Sequence, residues 1–161
     1  LYDVKSFDKN PDDFQERLTK LYGDIIGDGQ IFCSTRGFAK YITDSGFPVK
    51  DYYRYQISFR GKWMDKYLPI EHKIPHAYDS PVWFYALRMG FSEEEKSHLI
   101  KWIIPYLKFL NFEDDIEEWP ANDIKKLRYF GTDGRIEYID DPTWEWGIKF
   151  ADAVYNSQLK K

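Results

Sequence analysis

The chain has 161 residues, 43% hydrophobic and 31% charged, a balance that excludes disordered, collagenous and mucin-like compositions. Its net charge of -4 argues against nucleic-acid phosphates as the main binding partner. No apolar run reaches the ~18 residues of a membrane helix, and the longest, Leu99 to Leu110, is broken by Lys101, Pro105 and Lys108.

The first predicted helix follows Asn10, a good N-cap, with Pro11 at the first helical position. Phe14, Leu18 and Tyr22 give it one apolar face, and Gly23 is a plausible stop. The stretch Asp24 to Gln30 reads as turn-rich. A second helix runs from about Asp28 to Ile42, with Phe38, Tyr41 and Ile42 on one face. Cys33 is the only cysteine, so no internal disulfide can form. Residues Tyr52 to Arg60 alternate without fault. Tyr53, Tyr55, Ile57 and Phe59 point one way, and Arg54, Gln56, Ser58 and Arg60 the other, which predicts a strand.

Gly61 to Ser80 is a long connection containing Pro69 and Pro75, a length that usually carries function or disorder. A short helix from Pro81 to Met89 follows. Ser92 and Glu95 form a capping box before a helix whose stripe is Leu99, Trp102, Ile103, Tyr106, Leu107 and Leu110, with a kink expected at Pro105. Leu127 to Phe130 and Arg135 to Ile139 flank Gly131-Thr132-Asp133-Gly134 as a hairpin. Asp141 and Pro142 open a last helix, with Trp144, Ile148, Ala151 and Tyr155 inward. About three strands result, too few to cover so many apolar helix faces, so the central strand is expected to pair with strands outside this chain.

The motifs that could carry chemistry are few. Asp8 to Asp13 lacks the glycine and closing glutamate of a calcium loop, having Asp13 and Thr19 there, and reads as a helix cap. Gly23, Gly27 and Gly29 have no preceding strand and no following Gly-Lys-Ser/Thr, so they are not a phosphate loop. Glu71, His72 and His76 have zinc-like spacing, but Pro75 forbids the regular helix that would bring them together. No metal or cofactor site is expected. His98 reads as exposed, and Glu93 to Glu95 as a dipole-favoured helix start. His76 is left, a loop histidine after the strongest strand and before Tyr78 and Asp79.

Five segments together resemble the C-terminal third of type-B carboxylesterases, the cholinesterase and fungal-lipase family of α/β-hydrolases. Ile26 to Cys33 is similar to that family's Gly-Asp segment leading to a cysteine, and Tyr52 to Phe59 to its tyrosine-rich strand. Pro75-His76-Ala77-Tyr78-Asp79-Ser80-Pro81-Val82-Trp83-Phe84 resembles its histidine signature. Asp114-Asp115 and Trp119-Pro120, then the last helix, match in position.

The resemblance implies an α/β fold, the C-terminal part of one α/β-hydrolase domain over residues 1–161 with no internal boundary, completed by strands and helices of a separate N-terminal chain. It implies that His76 is the general base of a Ser–acid–His triad, which suits imidazole at neutral pH. It gives Asp79 a loop-fixing role and puts Tyr78 at the substrate pocket. No Gly-x-Ser-x-Gly is present, so nucleophile, acid and oxyanion donors would lie before Leu1.

The chain begins with Leu1 and has no charged-then-apolar leader, which implies that the original start has been removed. The expected assembly is therefore a cleaved, two-chain serine esterase, secreted like most relatives and acting on a small-molecule ester. The rival is an inactive carboxylesterase-like binding or adhesion protein. The family's usual cysteine partner of Cys33 is replaced near Gly147, and the arginine that faces the Asp28 position is replaced near Thr143. Phe, Tyr and Trp together make 19% of the chain. Those in Tyr52 to Phe59, with Trp83, Phe84 and Trp102, are expected to face the missing N-terminal part.

Overall fold

The computed structural model describes residues 14–49, 51–67, 74, 78–84, 90–114, 116–120 and 123–158. The Asn10 cap, the Asp8 to Asp13 stretch, His72, Pro75 and His76 lie outside the described residues. The chain divides into two compact units, residues 1–47 with 142–161, and residues 48–141.

In the first unit, helix α1 (Phe14–Ile26) does not end at Gly23. A glycine stops a helix by turning to positive φ, and among the described glycines only Gly46 and Gly134 do so. The expected turn is instead a wide helical stretch, Gly27–Phe32, closed by the Cys33 N–H on the Asp28 carbonyl, and helix α2 (Cys33–Asp44) continues from it. Gly46, at φ 66°, follows the end of α2.

The expected apolar face of α2 is also corrected. Phe38 and Tyr41 are exposed, and Cys33, Arg36 and Ala39 are buried. The face is chosen by close packing on helix α5 (Trp144–Gln158). A Cβ at Gly37 would lie 2.7 Å from the Ala151 Cβ, and one at Gly147 would lie 2.5 Å from the Arg36 Cδ. Small residues on both helices let the backbones approach, and bulky Phe38 and Tyr41 cannot fit there. Trp144 and Ile148 are inward as expected, whereas Tyr155 is exposed. Cys33 is a free, buried thiol. Burial, then the Asp28 charge, push its pKa up, so it remains protonated at neutral pH.

The second unit is mixed α/β. Strand β1 (Tyr55–Ile57) pairs in parallel with β2 (Lys126–Phe130), which pairs antiparallel with β3 (Ile136–Asp140). The predicted hairpin is present. Its turn is closed by Gly134 N–H on Gly131 O at 3.0 Å and by Gly131 N–H on Arg135 O at 2.8 Å. Gly134 has φ 82°, which glycine adopts without strain. The regular part of β1 is shorter than predicted, but its flanks stay in register. Arg128 N–H donates to Arg54 O, and Ser58 N–H to Phe130 O. In a parallel ladder alternate residues point their N–H and C=O groups to opposite edges. Those of Tyr55 and Ile57 therefore point away from β2, to an edge that takes no strand among the described residues.

Helix α3 (Asp79–Phe84) begins two residues before the predicted start. Helix α4 (Glu93–Leu110) opens with the predicted capping box, Ser92 Oγ accepting from Glu95 N–H and Glu95 Oε2 from Ser92 N–H. Its stripe holds at Leu99 and Trp102, both 0% exposed, but Leu107 and Leu110 are half exposed. The fully buried side of α4 turns instead through Pro105. His98 is half-buried over Gly134, not exposed.

Much of the aromatic excess packs on itself. Phe59 stacks on Phe130 at 4.4 Å, Trp102 on Phe130 at 5.0 Å, and Trp83 meets Trp102 at 5.2 Å. Trp83 and Trp102 thus belong to this unit's own core, a correction to the interface expectation, while Phe84 is exposed. Rings of this size bury more area than any aliphatic chain, and with Val82, Leu99 and Ile116 they supply the core between sheet and helices.

Candidate active site

The segment that carries the histidine signature follows β1 and leads to α3. Its start is fixed by two buried acceptors. Gly61 N–H donates to Tyr78 Oη at 2.8 Å, and Lys62 N–H donates to Glu95 Oε1 at 2.8 Å. Gly61 is required by close approach, since a Cβ there would lie 2.3 Å from the buried Phe91 ring. A short 3-10 turn, Lys62–Lys66, follows.

His76, the residue on which the sequence reading centres, lies outside the described residues. Tyr78, read from the sequence as pocket lining, is 3% exposed, its ring in the core and 6.4 Å from Trp63. Burial pushes its phenol pKa up, against the Gly61 donor, so the hydroxyl is neutral.

Asp79 is the first residue of α3 and accepts two hydrogen bonds among the described residues. Its Oδ1 accepts from Ser80 N–H, and its Oδ2 accepts from the Tyr55 hydroxyl, both at 3.1 Å. Burial, and the Asp79 charge among smaller contributions, raise the Tyr55 pKa, so its hydroxyl is the donor. No sequence signal marks this pair, because Tyr55 reads as one more ring on the strand. The same end of the strand is also held by Arg54, which donates to Asp141 Oδ2 and to the Ile124 carbonyl. Trp119 Nε1 bonds Arg54 O at 3.0 Å.

Glu95 links α4 to this segment. Burial opposes its ionisation, but N–H donors from Lys62 and Ser92 outweigh it and hold the carboxyl below its ordinary value. A depressed carboxyl contributes stability above its ordinary value of 4.5 and loses it as pH falls through the folded value. Glu95→Gln should therefore cost about 1–3 kcal/mol at pH 7. In urea titrations run from pH 7 to 3, the difference from the native protein should shrink below pH 4.5.

Among the described residues no cluster of metal-ligating side chains occurs. A groove of about 610 Å³ lies between α4 and the β2–β3 turn, lined by His98, Lys101, Ile104, Glu118, Arg128 and Arg135 among others, and it includes neither Tyr78 nor Asp79. No helix among the described residues is long and apolar enough to cross a membrane.

No protein-family model and no solved structure matches the chain. Two curated proteins are similar to it. One is an uncharacterized esterase/lipase of Schizosaccharomyces pombe, 34% identical over 137 residues, which are 85% of this chain and 25% of that protein. The other is a carboxylic ester hydrolase of Gibberella moniliformis, 27% identical over 138 residues, 84% of this chain and 25% of that protein. The chain spans about a quarter of the length of the curated relatives it matches. Its sequence is thus homologous to esterase/lipase and carboxylic ester hydrolase proteins and matches a carboxylesterase-like C-terminal part.

Proposed function

We propose that this chain is the C-terminal part of a serine carboxylic ester hydrolase and supplies the histidine of its Ser–acid–His triad. His76 is the general base that takes the serine proton and returns it to the leaving alcohol. Asp79 fixes the loop, and Tyr78 belongs to the wall of the substrate pocket. Both units are portions of one α/β-hydrolase domain, and the nucleophile, the acid and the oxyanion donors come from the polypeptide before Leu1, in a separate chain of a two-chain, secreted assembly. The substrate class is a small-molecule ester.

The observation that carries this reading is the match to two proteins named for ester hydrolysis, over nearly the whole chain. The open edge of β1 supports it. An accessible strand edge is a template for a further strand, and a parallel strand from the preceding polypeptide would pair with it.

The test is a fluorophosphonate probe applied to the native assembly. The expected result is a labelled band larger than this chain on a denaturing gel, with this chain present as a second, unlabelled band and with nitrophenyl-ester hydrolysis lost on labelling. Absence of both labelling and hydrolysis would overturn the enzymatic reading. Labelling of a single polypeptide that includes this chain would overturn only the two-chain arrangement.

A further inference from the structure

We infer that Tyr55 is a positioning residue of the hydrolase, a strap from strand β1 that sets the histidine loop by holding Asp79. The inference rests on the reading of His76 as general base.

One side chain touches α3 at two places. Its hydroxyl donates to Asp79 Oδ2 at 3.1 Å, and its ring meets the Trp83 ring edge-on at 5.2 Å and 84°. Asp79 and Trp83 are four residues apart, so they share a helix face. Trp102 of α4 and Trp119 also meet the Tyr55 ring edge-on, each at 6.2 Å. The ring is thereby held in one direction, and the hydroxyl with it. Tyr55 belongs to the strand that runs into the loop, and Asp79 to the helix that leaves it. Their bond ties the helix at the exit of the loop, three residues beyond His76, to the strand that precedes the loop. A hydrogen bond to a carboxylate is stronger than a neutral one. A catalytic base works only within hydrogen-bond reach of its proton, so a small displacement of its loop costs rate.

The experiment uses the full hydrolase with a nitrophenyl ester. Tyr55→Phe keeps the ring and removes the hydroxyl, with its bond to Asp79 and its side-chain bond with Trp83. It should lower kcat about tenfold with KM within about twofold and the melting temperature unchanged. Asp79→Ala should do the same, and Tyr55→Phe added to Asp79→Ala should have no further effect. Asp79→Asn, which keeps an acceptor oxygen, should recover most of the lost kcat. Normal kcat in Tyr55→Phe beside an inactive His76→Ala variant would overturn the strap alone, as would two single effects that multiply. Full activity in His76→Ala would overturn the base reading and the strap with it.

Discussion

Replacing His76 by Ala in the full hydrolase should lower kcat/KM for a nitrophenyl ester by about 10⁴-fold or more. The size follows from the role proposed. A serine hydroxyl attacks an ester slowly unless a neutral base takes its proton, and the same group must then protonate the departing alcohol. Losing the imidazole removes both steps, so the fall should lie in kcat, with KM changed little. Fluorophosphonate labelling should slow in parallel, because the probe also needs an activated serine. A folded His76→Ala variant with native labelling and hydrolysis would refute the assignment of His76.

Where one side chain meets its own neighbours in sequence, the fold was legible. The capping box needs only Ser92 and Glu95, three residues apart, and the hairpin needs only a four-residue turn with Gly134 at its φ 82° position. Both are local, and both stand as read. The alternation of Tyr53, Tyr55, Ile57 and Phe59 predicted the strand, although regular pairing covers only Tyr55–Ile57.

The errors fall where distant elements decide. Phe38 and Tyr41 looked like the inner face of α2 because they are large and apolar. The face is set instead by Gly37 against Ala151 and by Gly147 against Arg36, contacts over a hundred residues apart in sequence. Leu107 and Leu110 continue the α4 periodicity but pass beyond the end of the core. For the proposed site, the sequence offers a motif and no geometry. The order strand, His76, Asp79, helix could be read from residue types. The Tyr55–Asp79 bond and the grip of Glu95 on Lys62 N–H could not, since no spacing rule joins residues 24 and 33 positions apart.

Pro105 and Arg128 give the second large expected effect. Pro105 has no N–H, so the Lys101 carbonyl four residues earlier loses its helical donor, and the pyrrolidine ring crowds it. The helix nevertheless continues to Leu110. Arg128 on β2 supplies what is missing. Its Nη2 donates to Lys101 O at 2.9 Å and its Nη1 to Trp102 O at 2.6 Å. The guanidinium also lies 4.5 Å from the Trp102 ring and 5.5 Å from the Trp119 ring. It is 2% exposed, and burial pulls its pKa down to about 10, with the Glu118 charge acting in the other direction, so it stays charged at neutral pH. The carbonyls and the ring faces take the place of a carboxylate partner.

Arg128→Met keeps much of the volume and removes the donor to the buried Trp102 carbonyl and to the part-buried Lys101 carbonyl, which should cost about 2–4 kcal/mol. Pro105→Ala returns the N–H. In the native background that N–H competes with Arg128 for the same carbonyl, whereas in the Arg128→Met background it answers an unmet acceptor. Pro105→Ala should therefore stabilise the Arg128→Met protein by about 1–2 kcal/mol more than it stabilises the native one. Urea unfolding followed by tryptophan fluorescence measures all four corners of the cycle. Additive effects within about 0.5 kcal/mol would mean that Arg128 does not stand in for the missing helix donor.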